Sequence, residues 1–129
     1  MVAELHVELV AADRQVWSGR ASRVVARTVS GEIGIMPGHQ PLLAVLQSGP
    51  VTVRTTGESG EGTVVAAVHG GFISYTDGKL SLLAEIAELS DEIDVDRAQR
   101  ALDQARSDAD ASAERRADVR LRAAAAAGR

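Results

Sequence analysis

The sequence predicts a mainly β protein that ends in helices: an N-terminal β-sandwich, residues 1–89, followed by a C-terminal antiparallel helical hairpin, residues 90–129. Three observations support this fold class. The three aromatic residues and the three prolines all lie before Lys79. Short apolar runs separated by turn residues fill the same part of the chain. After Ser90 the composition changes to Ala, Arg and Asp, with no Gly before Gly128.

The first predicted strand has Leu5, Val7 and Leu9 alternating with polar residues, which is typical of a strand with one buried face. Seven further strand-like runs follow, at residues 23–29, 32–36, 42–46, 51–55, 63–68, 72–75 and 80–84. Turn sequences such as Ser18-Gly19 and Asp77-Gly78 separate them, and Asp-Gly favours a two-residue type I′ hairpin turn. Short strands at such regular spacing favour a β-sandwich.

The residues predicted to fill the core are apolar side chains at alternate positions of these runs. They are Leu5, Val7, Leu9, Val24, Ile33, Ile35, Leu43, Val45, Val51, Val53, Val65, Ala67, Phe72, Leu80 and Leu82. If Phe72 is buried, its replacement by Ala costs about 3–5 kcal/mol of stability. A much smaller loss indicates an exposed contact residue.

The C-terminal part is predicted to form two short helices. Asp94 is a good N-cap for the first helix, whose apolar stripe is Val95, Ala98, Leu102, Ala105 and Ala109. Ser112 is the expected cap of the second helix, which carries Ala113, Ala117, Leu121 and Ala124. Seams made mostly of Ala bury little apolar surface, so the hairpin is either a weakly held, movable element or a static appendage.

Several function classes are disfavoured by composition. The chain has no Cys and three scattered His, so neither a disulfide framework nor a zinc site is expected. A net charge of −4 argues against nucleic-acid binding. No apolar run approaches the ~18 residues that span a bilayer, and the N-terminus lacks the pattern of a secretory signal. We therefore expect a soluble protein made in the cytoplasm.

Catalysis within the chain is not expected. His69-Gly70-Gly71 resembles the oxyanion loop of some esterases, but no G-x-S-x-G sequence accompanies it. The alternatives are a tight turn between strands or a place where two backbones approach closely. No phosphate-binding G-x-x-x-x-G-K-[ST] sequence occurs either.

The stretch from Gly31 to Leu43 has the character of a partner-binding loop. Strand-like residues lead into Pro37-Gly38, and Pro41 adds a second restriction before the apolar run resumes. Glu32 and His39 are expected at the two ends of this stiffened turn. A carboxylate and an imidazole on a rigid loop suit contact with a partner better than they suit a core.

This stretch, G-E-I-G-I-M-P-G-H-Q-P-L-L, resembles the G-E-x-G-I-x-P-G-H-x-P-L-L signature of the epsilon subunit of F-type ATP synthases. Gly70-Gly71-Phe72 and the segment from Ile93 to Ala98 extend the resemblance over nearly the whole chain. It implies a ten-stranded sandwich that binds the gamma subunit and the c-ring. It also implies a non-catalytic rotor subunit that couples proton flow to ATP synthesis, held on the cytoplasmic side of the cell membrane as a peripheral protein without entering the bilayer.

The resemblance also assigns roles to individual residues. Glu32 and His39 fall where the family meets the polar loops of the c-ring. The segment from Ile93 to Ala98 fits an I/L-D-x-x-R-A pattern that binds ATP in some family members. The residues that match this site are Glu88, Ile93, Asp94, Arg97 and Ala98, whereas Gln104 stands where a further Arg is expected.

ATP is accordingly a regulatory ligand in this interpretation, and no cofactor is required. A second role implied by the family is extension of the hairpin towards the alpha and beta subunits, which restrains ATP hydrolysis. From the residues alone, Asp94 and Arg97 are also consistent with a helix cap and a solvated surface charge. The alternative function is a free-standing β-sandwich binding module with a helical tail.

Overall fold

The computed structural model describes residues 4–56 and 61–128. These residues contain seven strands: β1 Leu5–Ala11, β2 Gln15–Thr28, β3 Gly31–Ile35, β4 Leu42–Leu46, β5 Gly49–Thr55, β6 Gly62–Thr76 and β7 Lys79–Leu89. A 3₁₀ turn at Ser90–Glu92 leads to two helices, α1 Val95–Ser107 and α2 Ala111–Ala126. The predicted fold class, a β-sandwich followed by a helical hairpin, is confirmed.

The strand pairings form a closed circuit. β1 pairs with β2 and with β7, β7 pairs with β6, β6 pairs with β5, and β5 pairs back onto β2. β3 adds to β2, while β4 lies against the second half of β6. The β1–β7 pairing is parallel and the others are antiparallel. This arrangement places β4, β6 and β7 side by side.

The described residues form seven strands rather than about ten because two strands are long. β6 joins the runs predicted at residues 63–68 and 72–75. β2 begins at Gln15 and continues through Ser18-Gly19, so the turn predicted there is wrong. The ring of Trp17 lies over Gly19, where an added Cβ would be 2.7 Å from Trp17 Cζ2. Here the glycine provides space for a neighbouring side chain and does not mark a turn.

Gly70-Gly71 interrupts β6 without ending it. Both residues have positive φ, +71° and +127°. A Cβ on Gly71 would lie 1.9 Å from the carbonyl oxygen of Leu83, so the alternative of a close backbone approach is confirmed. The inward-facing positions also change here: Ala66 and Val68 face the sandwich core before the glycines, and Ile73 and Tyr75 face it after them.

Three predicted core residues are exposed, and these predictions are wrong. Leu43 is 75% exposed, Val45 44% and Phe72 53%. The run 42–46 is apolar on both faces, so alternation alone does not identify its buried side; Leu46 is the buried end. Phe72 points outward because the Gly70-Gly71 bend reverses the facing of β6.

Most of the predicted core is confirmed. The buried members are Leu5, Val7, Leu9, Val24, Ile35, Val51, Val53, Val65, Ala67, Leu80 and Leu82. Ile33 is partly buried against them. Val65 and Ala67 are buried on the outer side of β6, beneath the helices, together with Ile93, Ala98, Val119 and Ala123. The hairpin therefore docks on the outer face of β6 through small side chains.

Both helices begin at an aspartate. The side chain of Asp94 accepts a hydrogen bond from the Arg97 backbone N–H at 3.0 Å, which confirms the predicted first cap. Asp110, and not Ser112, caps α2 by accepting from the Ala113 N–H at 3.0 Å. Ala109, predicted to lie on the buried stripe, is exposed and has φ +54°, because it forms the turn between the helices.

Candidate functional site

The loop between β3 and β4 is anchored to β6 through Tyr75. The His39 N–H donates to the Met36 carbonyl at 3.1 Å and closes a turn in which Gly38 has φ +88°. The Gly38 N–H donates to the Tyr75 hydroxyl at 3.3 Å. The His39 ring packs edge-on against the buried Tyr75 ring, with centroids 6.0 Å apart. The loop is thus held in one shape by a residue of the core.

His39 is oriented at the surface of this loop. Its Nδ1 lies 2.7 Å from the carbonyl oxygen of Gln40, a contact that is a hydrogen bond when Nδ1 carries the proton. With Nδ1 engaged in this way, Nε2 is the ring nitrogen left for a hydrogen bond with another molecule. The ring is only partly exposed.

Glu32 lies elsewhere on the sandwich. It is exposed on β3 and faces Arg27 across the β2–β3 ladder. The strand residues between Glu32 and Met36 separate it from the turn by about 13 Å at ~3.3 Å per residue. The structure therefore does not place Glu32 and His39 at the two ends of one turn, and they present two separate contact points.

Four large apolar side chains form an exposed patch on β4, β6 and β7. Val45 pairs with Phe72, Phe72 pairs with Leu83, and Leu43 is two residues from Val45 on the same side of β4. Leu83 is 52% exposed, similar to its neighbours. We call Leu43, Val45, Phe72 and Leu83 the apolar face. Sequence reasoning missed this surface because it placed three of the four residues in the core.

The residues of the predicted nucleotide site come together between the sandwich and the hairpin. They line a cleft of about 250 Å³ formed by Glu88, Glu92, Ile93, Asp94, Arg97, Ala98, Ala101 and Arg120. All five predicted residues, Glu88, Ile93, Asp94, Arg97 and Ala98, are among them. Glu92, Ala101 and Arg120 were not predicted from the sequence to belong to the site, and Arg120 reaches it from the second helix.

The charges in the cleft are partly paired. Arg120 Nε lies 2.5 Å from Glu88 Oε1, and each side chain is about three-quarters buried. Within the described part of the chain, the Arg97 guanidinium has no ion-pair or hydrogen-bond partner. Gln104 lies outside the cleft and donates to Asp108 at 3.0 Å. The cleft thus offers one unpaired cation next to the capped start of α1.

His69 is the buried titratable residue beside this cleft. It is 6% exposed, and neither ring nitrogen has a hydrogen-bond partner among the described residues. The pKa of His69 is lowered to about 4, chiefly by burial and also by the positive charges of Arg120 and Arg116, while the negative charge of Glu88 acts in the opposite direction. From the sequence, His69 was predicted only as part of a turn, a close backbone approach or an oxyanion loop.

Comparison with known proteins decides the family. Residues 4–90, which include all seven strands, match the family described as ATP synthase, Delta/Epsilon chain, beta-sandwich domain. The chain belongs to the ATP synthase delta/epsilon family. The resemblance inferred from the loop signature is therefore confirmed, and the chain is a subunit of ATP synthase other than the catalytic one.

The relatives in this family are similar along their whole length. The chain is 77% identical over 125 residues to the ATP synthase epsilon chain of Streptomyces griseus, covering 97% of this chain and 98% of that one. It is 54% identical over 127 residues to the ATP synthase epsilon chain of Thermobifida fusca, covering 94% and 92%. The helical hairpin is thus part of the similarity to these relatives.

A solved structure shows the same fold. A chain in the cryo-EM structure of the Euglena gracilis mitochondrial ATP synthase, OSCP/F1/c-ring, superposes with a TM-score of 0.72 at 23% identity, covering 95% of this chain and 78% of that one. Among the described residues, no helix is long and apolar enough to cross a membrane, and no cluster of side chains is suited to hold a metal ion.

Proposed function

We propose that this member of the delta/epsilon family works as a rotor subunit of the proton-translocating F-type ATP synthase, coupling proton flow through the c-ring to ATP synthesis. The single observation that carries the proposal is the apolar face on a chain of this family. A contiguous row of large apolar side chains left in water is unfavourable for a free protein and marks an interaction surface.

The apolar face is the proposed binding site for the gamma subunit. Val45, Phe72 and Leu83 lie on three adjacent strands and form one row, with Leu43 beside it. Burial of a large apolar side chain contributes about 1.5–3 kcal/mol, so this row alone supplies a substantial part of a stable interface. No charged residue interrupts the row at these paired positions.

The proposed c-ring contacts are Glu32 and His39. Both groups are polar, lie at the surface and are carried by rigid backbone: a strand in one case and the Tyr75-anchored turn in the other. Such fixed charges confer specificity and register on a polar interface. In this proposal the protein is peripheral on the cytoplasmic side of the cell membrane and is held there by its partners.

Co-purification with gamma tests the apolar face. We expect the wild-type protein to co-purify with tagged gamma and with membranes that carry the synthase. Phe72→Glu places a charge in the middle of the face and should abolish recovery. Thr63→Glu, at another exposed position of β6, is the matched control and should be recovered like the wild type.

The alternative function, a free-standing binding module, gives a different result. In that case neither the wild-type protein nor the variants come down with gamma. If Phe72→Glu and the wild type are recovered equally with gamma, the protein is still a synthase subunit, but the apolar face is not its binding site for gamma.

The cleft under the hairpin supports a second proposed role, regulatory binding of ATP. One observation favours it: the five predicted residues line one cleft, and Arg97 is unpaired beside the N-terminus of α1, where backbone N–H groups favour phosphate. Three carboxylates face two guanidinium groups there, so we expect weak binding, with a Kd of about 1 mM, equivalent to ~4 kcal/mol.

Calorimetric titration of the protein with ATP tests this role. Saturable heat is expected for the wild type and for Arg100→Ala, an exposed arginine outside the cleft, and should be lost in Arg97→Ala. No heat up to about 10 mM ATP, roughly ten times the expected Kd, or equal heats in all three proteins, would contradict the proposal. The hairpin would then act through contact with the alpha and beta subunits, towards which we propose it extends to restrain ATP hydrolysis.

A further inference from the structure

His69 lies on the outer face of β6, in the area that the hairpin covers. Val65 and Ala67, four and two residues before it, pack against Ala98, Val119 and Ala123 of the helices. Strand alternation places His69 on the same face. It is 6% exposed, so the hairpin and its surroundings exclude water from the ring.

The surroundings of the ring contain charges but no partner. The charged groups that act on it are Arg116 and Arg120 from α2 and Glu88 from β7. Glu88 is already engaged by Arg120. Both ring nitrogens lack a hydrogen bond in the described structure, which is costly for a buried polar group and calls for a physical explanation.

We propose that His69 is a proton-sensitive latch under the helical hairpin: the neutral ring permits docking on β6, and a proton on the ring releases the hairpin. In the docked state a charged imidazolium would be dehydrated and would face two arginines. When the helices leave, the ring meets water and holds its proton normally. The inference rests on the proposed movable hairpin, but it concerns docking alone and not the partners of the subunit.

The direction of the effect follows from the two pKa values. The docked pKa is about 4, and the pKa of an exposed His is about 6.5. Above pH 6.5 the ring is neutral in both states and docking is at full strength. As the pH falls from 6.5 towards 4, the undocked state alone gains the proton, so docking weakens by about tenfold for each pH unit. Below pH 4 both states are protonated and the loss stops.

Amide hydrogen exchange of the full-length chain measures this directly. Between pH 7.5 and 5.5, after correction for the intrinsic exchange rate, we expect protection of hairpin amides such as Leu102 and Val119 to fall by about tenfold. His69→Gln, which has no proton to gain in this range, should show no such fall. His6 is an exposed histidine on β1, so His6→Gln is the matched control and should show the same tenfold fall in protection as the wild type.

Two results would overturn the latch: unchanged protection in the wild type, or the same tenfold fall in His69→Gln. If His69→Gln does not fold, Arg116→Gln provides the test, because it removes one positive charge and leaves the Glu88–Arg120 pair in place. The docked pKa then rises, so the loss of protection at pH 4.5 should be smaller than in the wild type. An equal loss would contradict the proposal, while the co-purification result with gamma is independent of either outcome.

Discussion

Ile73 and Phe72 are neighbours in β6 that face opposite sides of the sheet. Ile73 is fully buried among the core residues, whereas Phe72 is about half exposed in the middle of the apolar face. The larger side chain therefore contributes less to the stability of the isolated protein. We propose that Phe72 instead serves the contact with gamma, so that residues that fold the chain differ from residues that assemble it.

Alanine substitution should show this separation. Ile73→Ala removes a fully buried side chain and should lower the free energy of unfolding by about 2–5 kcal/mol. Phe72→Ala should lower it by about 1 kcal/mol or less, since an exposed ring loses little packing. Urea melts of the two variants make the measurement. A loss of about 3–5 kcal/mol in Phe72→Ala would contradict the exposed position of the ring.

The burial of individual residues was predictable where apolar and polar residues alternate, because only one face of the strand can then be the buried one. Leu5, Val7 and Leu9 alternate with polar residues, and all three are buried. The prediction of burial was wrong at Leu43 and Val45, because both faces of that strand are apolar. Only tertiary packing determines which of the two faces is buried. The burial of His69 under the hairpin follows from tertiary packing, which no local pattern records.

The hairpin is the element with the weakest attachment. Its buried side chains are mostly alanines, and one partly buried ion pair, Glu88–Arg120, joins α2 to β7. Each small apolar contact contributes little, and the Glu88–Arg120 pair adds to them in holding the helices to the sandwich. An element held in this way opens at lower free energy than the strands beneath it.

Breaking the pair should loosen the hairpin selectively. Glu88→Gln leaves Arg120 partly buried and uncompensated, and should weaken docking by about 1–2 kcal/mol. Trypsin should then cleave at the arginines of the helices about 5–30-fold faster, with the sandwich intact. Asp118→Asn breaks the exposed Asp118–Arg122 pair within α2 and is the control, with an expected effect of about 0.3–0.5 kcal/mol. Equal cleavage rates in Glu88→Gln and wild type would contradict this account of the attachment.

Elements were predictable from the sequence where turn chemistry was unambiguous. Asp77-Gly78 has positive φ at both residues, as the type I′ prediction requires. The prediction assigned only residues 23–29 to the second strand and divided β6 into two runs, because Ser18-Gly19 is typical of a turn and Gly70-Gly71 of a tight turn or a close backbone approach. In the structure the first accommodates the Trp17 ring and the second allows a close approach to Leu83. Space for a neighbouring ring and close approach of a second strand depend on side-chain packing or on residues distant in the chain, so the local sequence does not predict them.

For the whole molecule, the surfaces proposed for assembly and for regulation lie in different places. The apolar face and the His39 loop belong to the sandwich, while the cleft and His69 lie where the hairpin docks on it. The family was recognisable from one loop signature, and the match over residues 4–90 confirms it. The relation between these surfaces was not predictable, because the hairpin contacts the sandwich through residues far apart in the sequence.

The central claim is that this chain transmits rotation as part of the synthase rotor, with Glu32 and His39 meeting the c-ring. ATP-driven proton pumping in vesicles reconstituted with synthase carrying Glu32→Lys and His39→Ala tests it most directly. Glu61→Lys, an exposed glutamate outside the β3 strand and its loop, is the control. We predict reduced pumping at unchanged ATP hydrolysis for the double variant, normal pumping for the control, and a folded sandwich in both. Normal pumping by the double variant would contradict the assignment.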